Sequence, residues 1–280
     1  MDPSSPLAGS VSVAYLQGLV DHVVRHGIEP AAFLAGIQLT PSILGQREQR
    51  IAASAYLELL GQAMARLDDP RLGLHLGEAV RPGYYGVLGY LLMSCPTLSD
   101  ALHRQARYAA LVGNLGQVEL DDEPPRAGQE PLVRLAWEPS LPLLRDQVAE
   151  ESLAGWVTFG RWISGLDIPP TEVRFQHPAP ADDAEHCRVF RCPVLFEQPD
   201  NALVFPRRLL ATPLGQADSH VRQMLDAYAD QPAGGIAPGP ERARPGAPGT
   251  GRAPGRGRRR PGTPGHRPGP EPAHPAAAPA

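Results

Sequence analysis

Two histidines four residues apart, His22 and His26, lie in the run VSVAYLQGLVDHVVRH. On a helix that spacing puts both imidazoles on one face, where they could share a metal ion. Asp21 falls on another face and no cysteine or acidic partner stands nearby, so the residues favour a solvated or half-buried pair. Cys187 and Cys192 frame the end of a predicted helix, with His186 adjacent. A redox or metal site there needs a lowered thiol pKa or converging ligands, and buried core cysteines are the expectation. His177 before Pro178 closes a predicted strand; it either contacts a ligand or, the favoured reading, is a hydrogen-bonded residue shaping the strand exit. Trp137, Trp156 and Trp162 come from neighbouring elements and either line a pocket or pack a core. Gly86 and Gly89 suit a turn or a close helix approach and do not match a dinucleotide fingerprint. The chain shows no nucleophile elbow, Ser-His-Asp order, metal triad or P-loop. These residues therefore point away from an enzyme, with no catalytic residue, metal ligand or cofactor assigned.

The elements that must position these groups follow from periodicity. Leu16, Leu19, Val20, Val23 and Val24 form one helical stripe within residues 11–26, and Gly27 is placed to end it. A short helix follows Glu29-Pro30, and Thr40-Pro41 marks another start. Residues 51–67 and 71–79 predict two more helices, so residues 10–80 read as an all-helical part. Residues 87–95 predict an apolar helix with Gly89 inside it. Thr97 is a suitable N-cap for the next helix, with Asp100 in its first turn. Gln117–Asp121 alternates in polarity, and LVRLAW at 132–137 is its hairpin partner. A long helix over 144–166 carries Trp156 and Trp162. Strands at 172–175, 193–196 and 202–205 follow, with a helix over 182–191 and a last amphipathic helix over 221–228. Residues 81–210 thus read β-β-α-β-α-β-β after their opening helices. The expected fold class is α+β, with a mostly antiparallel sheet, packed helices and a disordered C-terminal tail.

The tail is segment 231–280, where Pro, Gly, Ala and Arg make up 42 of 50 residues and Ile236 is the only branched aliphatic. So little apolar surface cannot offset roughly 1–2 kcal/mol of backbone entropy per ordered residue. The 280-residue chain has 26 basic residues, all Arg, which indicates a GC-rich gene. The tail's composition matches such a gene read in a shifted frame; a natural low-complexity tail and a linker remain alternatives. Residues 1–230 carry 28 acidic and 18 basic groups, which gives no support for a broad nucleic-acid surface. Arg258-Arg259-Arg260 lacks interleaved aromatics, so any nucleic-acid binding by it would be non-specific and salt-sensitive. Three cysteines without a CxxC pair, no signal peptide and no membrane-length apolar run lead us to expect a soluble cytoplasmic protein.

Residues 83–108 and 173–210 carry a joint pattern. Gly86, Gly89 and Tyr90 precede Thr97-Leu98 and Ala101-Leu102; Phe175, His177, Pro178 and Pro180 precede Phe190, Pro193, Phe196, Asn201, Leu203 and Phe205. With the spacer between them, these stretches resemble the N-terminal arabinose-binding domain of one branch of the AraC/XylS transcriptional regulators, over roughly residues 10–225. The resemblance implies an effector-sensing and dimerisation domain, with an unknown small-molecule effector as partner, no membrane, and Gly86, Gly89, Thr97, Pro193 and Phe196 as structural motif residues. Trp137, Trp156 and His177 are the candidate ligand-binding residues. Members of that family continue into two helix-turn-helix units. Nothing after Gln231 has the apolar content to build them, so we assign no DNA-binding residue, expect no specific DNA binding, and read the chain as truncated or frameshifted before its reader. The alternative is a stand-alone module that forms mixed dimers with intact homologues. The effector pocket is expected between the sheet and the helices that follow Gly86 and Leu144.

Overall fold

A computed structural model describes residues 9–125, 128 and 130–231. The segment expected to be a disordered tail lies, apart from Gln231, outside the described residues.

The opening third is helical with one addition. Strand β1 (Ser10–Ser12) leads into α1 (Val13–Arg25) and α2 (Pro30–Leu34); β2 (Arg50–Ala52) leads into α3 (Ala53–Leu67), and α4 (Leu72–Glu78) follows. The two strands pair antiparallel, Val11 opposite Ile51. This small sheet corrects the all-helical reading of residues 10–80. Three-residue strands are too short to show a period of two, and their pairing spans forty positions. Arg50 fastens it: Nε donates to Ser10 Oγ at 2.7 Å, and the terminal nitrogens donate to the carbonyls of Ser10 and Leu111 at 2.8 and 2.9 Å. Ser12 caps α1 by accepting the Tyr15 amide. Leu16, Leu19, Val20 and Val23 are buried beneath it, whereas Val24, placed on the same stripe by the sequence, is 42% exposed.

Next come α5 (Val87–Met93) and α6 (Leu98–Val112), then hairpin strands β3 (Gly116–Asp122) and β4 (Leu132–Pro139), α7 (Arg145–Ser164), β5 (Glu172–Arg174), α8 (Ala184–Phe190), β6 (Val194–Leu195), β7 (Asn201–Pro206) and α9 (Ser219–Ala229). The predicted β-β-α-β-α-β-β order holds. The sheet runs β3-β4-β7-β5-β6, antiparallel except where β5 meets β6. Leu135 lies opposite both Leu120 and Leu203, and Val133 opposite Phe205, so one apolar face is continuous across three strands. That face joins the α1, α3 and α7 side chains in a single core cluster. The opposite face is ionic. Arg134 bridges Asp121 and Asp200, and Arg174 bridges Glu123 and Glu172, the arginine stems covering a strand, β7, that is buried along its whole length.

Two close backbone approaches set the helix layer. A Cβ on Gly73 would lie 2.2 Å from the Gln147 carbonyl oxygen, and one on Gly77 2.6 Å from the Glu151 carbonyl oxygen, so α4 crosses α7 at backbone contact. The Gln147 side chain seals the crossing, accepting from the Gly73 amide and donating to the Pro70 carbonyl, both at 3.0 Å. A Cβ on Gly89 would lie 2.1 Å from the Pro82 carbonyl oxygen. Gly86 between them turns the chain at φ +56°, a conformation that favours glycine. No helix among the described residues is long and apolar enough to cross a membrane.

Candidate functional site

Between the apolar sheet face and α6 and α7 the structure leaves a cleft of about 610 Å³, counting its solvent-facing mouth. Its enclosed space is about 90 Å³, below the roughly 300–1,000 Å³ usual for small-molecule pockets, and the rest opens to solvent. Leu135, Leu203 and Phe205 form the floor, Leu98 and Leu102 of α6 one wall, and Trp156, Val157, Gly160, Arg161 and Ser164 of α7 the other. Ile168, Pro169 and Pro170 in the loop after α7 and Leu209 and Thr212 after β7 close the rim. Trp156 faces the cleft because α7 is a long helix that buries Leu153, Ala154 and Val157 and leaves the adjacent position half-buried. Gly160, one turn further on, adds no side chain and so keeps the wall open.

The polar groups at this cleft are few. Ser164 Oγ donates to the Gly160 carbonyl at 2.7 Å and accepts the Leu166 amide at 3.2 Å, so its hydroxyl is engaged within its own chain turn. Arg161 donates to the carbonyls of Val189 and Phe190 at 3.1 and 3.0 Å and thereby ties off the C-terminal end of α8. Its Nε is buried without a hydrogen-bond partner among the described residues. Burial, and secondarily the neighbouring Arg191, push its pKa below the ordinary guanidinium value.

The candidate residues separate. Trp156 lines the cleft; Trp137 does not. The Trp137 ring lies against Gly116, where a Cβ would come within 2.2 Å of it, and is 5% exposed in the core. Trp162 is 49% exposed and leans on Phe159. His177 is buried elsewhere: its Nδ1–H donates to the Pro178 carbonyl at 3.0 Å and its Nε2 lies 3.4 Å from Glu150 Oε1. His186 meets the same carboxylate oxygen through Nε2 at 2.8 Å, and Arg71 approaches its Nδ1 at 3.4 Å. Phe175, Phe190 and Phe196 pack around this knot. Thr97 caps α6 by accepting the Asp100 amide, and the Pro193 carbonyl accepts the Val173 amide in the parallel ladder.

Sequence reasoning missed Glu150, Glu151 and Arg161, which look like surface charges in any window of α7. Glu151 is buried, 8% exposed. Tyr56 donates to both its oxygens, at 2.8 and 3.0 Å, yet burial prevails and raises its pKa to about 7. The His22 and His26 rings stack at 4.6 Å beside a cavity bordered by Asp68, Asp69 and His75. His75 pairs with Asp69 at 2.7 Å, and burial lowers the His22 pKa to about 4. Among the described residues no group of three or more His, Cys, Asp or Glu is arranged to hold a metal ion. Cys187 corrects the expectation of buried core cysteines: it is exposed, whereas Cys95 is buried and Cys192 half-buried. The helix turns Cys187 outward because its neighbours His186, Val189 and Phe190 take the buried face.

Residues 27–214 match the family model described as the arabinose-binding domain of AraC transcription regulator, N-terminal. The ornithine utilization regulator of Pseudomonas aeruginosa is 28% identical over 226 residues, covering 80% of this chain and 65% of that protein. An uncharacterized HTH-type transcriptional regulator of Mycobacterium tuberculosis is 26% identical over 216 residues, 74% of this chain and 60% of its own length. The crystal structure of transcriptional regulator CdpR from Pseudomonas aeruginosa shares the fold, with a TM-score of 0.50, 19% identity and coverage of 76% of this chain and 62% of that one. The chain thus spans less than two thirds of the length of these relatives.

Proposed function

Because the chain belongs to the family of the N-terminal arabinose-binding domain of AraC transcription regulators, we propose that residues 10–225 are an effector-sensing and pairing unit in transcription control. The observation that carries this reading is the cleft between sheet and helices, with Trp156 in its wall and α6 and α7 as its sides. A small molecule seated there contacts the sheet and both helices at once, so its binding energy depends on how these elements sit together. Any difference in that arrangement between two states of the protein becomes a population shift. The chemistry is binding alone, with no catalytic step and no DNA-reading residue in the described part.

A panel of small acids, sugars and alcohols titrated against intrinsic fluorescence tests this. A true cleft ligand changes the emission of the wild type, and Trp156→Phe reduces that change while leaving the melting temperature within a few degrees. A ligand whose affinity and signal are indifferent to Trp156 places the site elsewhere.

A second copy of the same domain is the partner we propose. On α9, Leu225 and Ala229 turn toward the α5–α6 cluster, while Val221, Met224 and Tyr228 form an outward row that is 42%, 62% and 44% exposed. Those three sit on one helical stripe at spacings of three and four. Sedimentation velocity is expected to show a dimer that Met224→Asp converts to monomer with an unchanged circular dichroism spectrum. A wild-type monomer at micromolar concentration overturns this part.

A further inference from the structure

Resting on the reading of the cleft as the effector site, we infer that its ligand is an apolar molecule carrying one carboxylate, with the anion held by Arg161. Arg161 is the only ionisable side chain among the described residues that line the cleft. Its surroundings leave its charge short of compensation. The two acceptors it has are neutral carbonyls, those of Val189 and Phe190. The nearest carboxylate, Asp167, stands 3.9 Å from Nε, is 76% exposed, and is engaged by the guanidinium of Arg191 through both terminal nitrogens. Glu78, the other acid felt at this position, is taken up by Arg188. A guanidinium has more N–H groups than two carbonyls can use, and the Arg161 side chain keeps 19% of its surface open. A charge compensated only at 3.9 Å by an exposed carboxylate shared with another arginine gains most from a desolvated anion.

The rest of the cleft argues against other ligand classes. A sugar needs several directed polar partners, but the Ser164 hydroxyl is already bonded within α7 and Thr212 is the one further hydroxyl on the lining among the described residues. A diamino acid brings ammonium groups that no lining carboxylate would receive, and these would face Arg161. A single carboxylate on an alkyl or aryl body matches one cationic end and walls of Leu, Phe, Trp and Pro.

Calorimetric titration of the full chain with matched pairs decides it: octanoate against octanol and octylamine, and phenylacetate against phenylethanol. At least one acid is expected to bind ten- to a hundredfold more tightly than its alcohol, in line with a charge-assisted hydrogen bond, and octylamine is expected to bind most weakly. Arg161→Gln should bring acid and alcohol together. Because Arg161 also ties off α8, Leu102→Trp serves as a second variant that fills the cleft without touching the guanidinium; it should abolish acid binding. Equal binding of acid and alcohol by the wild type, both lost in Leu102→Trp, overturns the anionic class and keeps the cleft as the site. Binding that Leu102→Trp leaves intact, or no binding by any of the five probes, overturns both.

Discussion

Gly89→Leu is expected to lower the stability of the domain by more than about 3 kcal/mol, the upper end of ordinary overpacking costs. The side chain is not the obstacle; the first carbon is. A Cβ at this position would sit 2.1 Å from the Pro82 carbonyl oxygen and 2.9 Å from its carbon, both backbone atoms. Backbone cannot rotate away as a flexible side chain can, so α5 must lift from the turn at 82–85. Leu88, Leu91 and Leu92 of the same helix would then leave the core cluster that they share with Tyr85 and Phe159. A typical domain has only about 5–15 kcal/mol in total, so the variant is expected to be largely unfolded at 37 °C. Gly160→Ala is the control. Nothing lies within 4 Å of a Cβ there, and the change should stabilise α7 by about 0.5–1 kcal/mol through helix propensity alone. Urea titrations of both variants measure the contrast. If the two differ by less than about 1 kcal/mol, the close approach at Gly89 does not govern stability.

Between pH 4.5 and 8 the protein is expected to show a flat stability profile that single substitutions tilt. Glu151 holds its proton to about pH 7 when folded and releases it near 4.5 when unfolded. In that window the folded state binds more protons, so its contribution favours folding at low pH and is lost as pH rises through 7. The full span of that loss is on the order of 3 kcal/mol. His22 works in the other direction. Folded, it stays neutral to about pH 4; unfolded, it takes up a proton near 6.5. Its contribution is present above 6.5 and is lost as pH falls toward 4. The two losses oppose each other over a shared range. Glu151→Gln keeps an oxygen for Tyr56 and has no proton to lose, so the variant should exceed the wild type in stability at pH 8 and approach it at pH 5. His22→Phe should exceed the wild type at pH 4.5 and converge with it at 7.5. Thermal melts across this range provide the measurement. A Glu151→Gln profile parallel to that of the wild type at every pH would show that the carboxylate is not neutral in the fold.

How much of this was legible beforehand varies with the range of the interaction. The stripe of α1, the Thr97 cap with Asp100 behind it, the β3–β4 hairpin and the order of the elements are written in neighbours one to four positions apart. Helix and strand periods act over that distance, so the sequence carries them openly. Gly89 belongs to the same class: a glycine inside an apolar helix is costly unless something must come close. The general location of the cleft could also be reasoned, since helices flanking an antiparallel sheet leave their gaps against it.

What the chain could not show locally was convergence. Trp137 and Trp156 look alike as large aromatics beside a sheet, but one faces Gly116 in the core and the other faces open space. Glu150 and Glu151 are adjacent, and the roughly 100° that a helix turns per residue sends them to different partners, two histidines for one and Tyr56 for the other. Arg161 became a site residue only because α8 ends beside it and Arg191 captures Asp167. β1 and β2 are strands only because Arg50 and Ser10 meet across forty positions. By itself, then, the sequence determined the kind and order of the elements apart from β1 and β2, because local periodicity and capping act between near neighbours, and its motifs carried the resemblance to the family. Only the tertiary structure decided which polar groups are buried and which wall of the cleft they face, because burial depends on residues a hundred positions away and no local pattern encodes it.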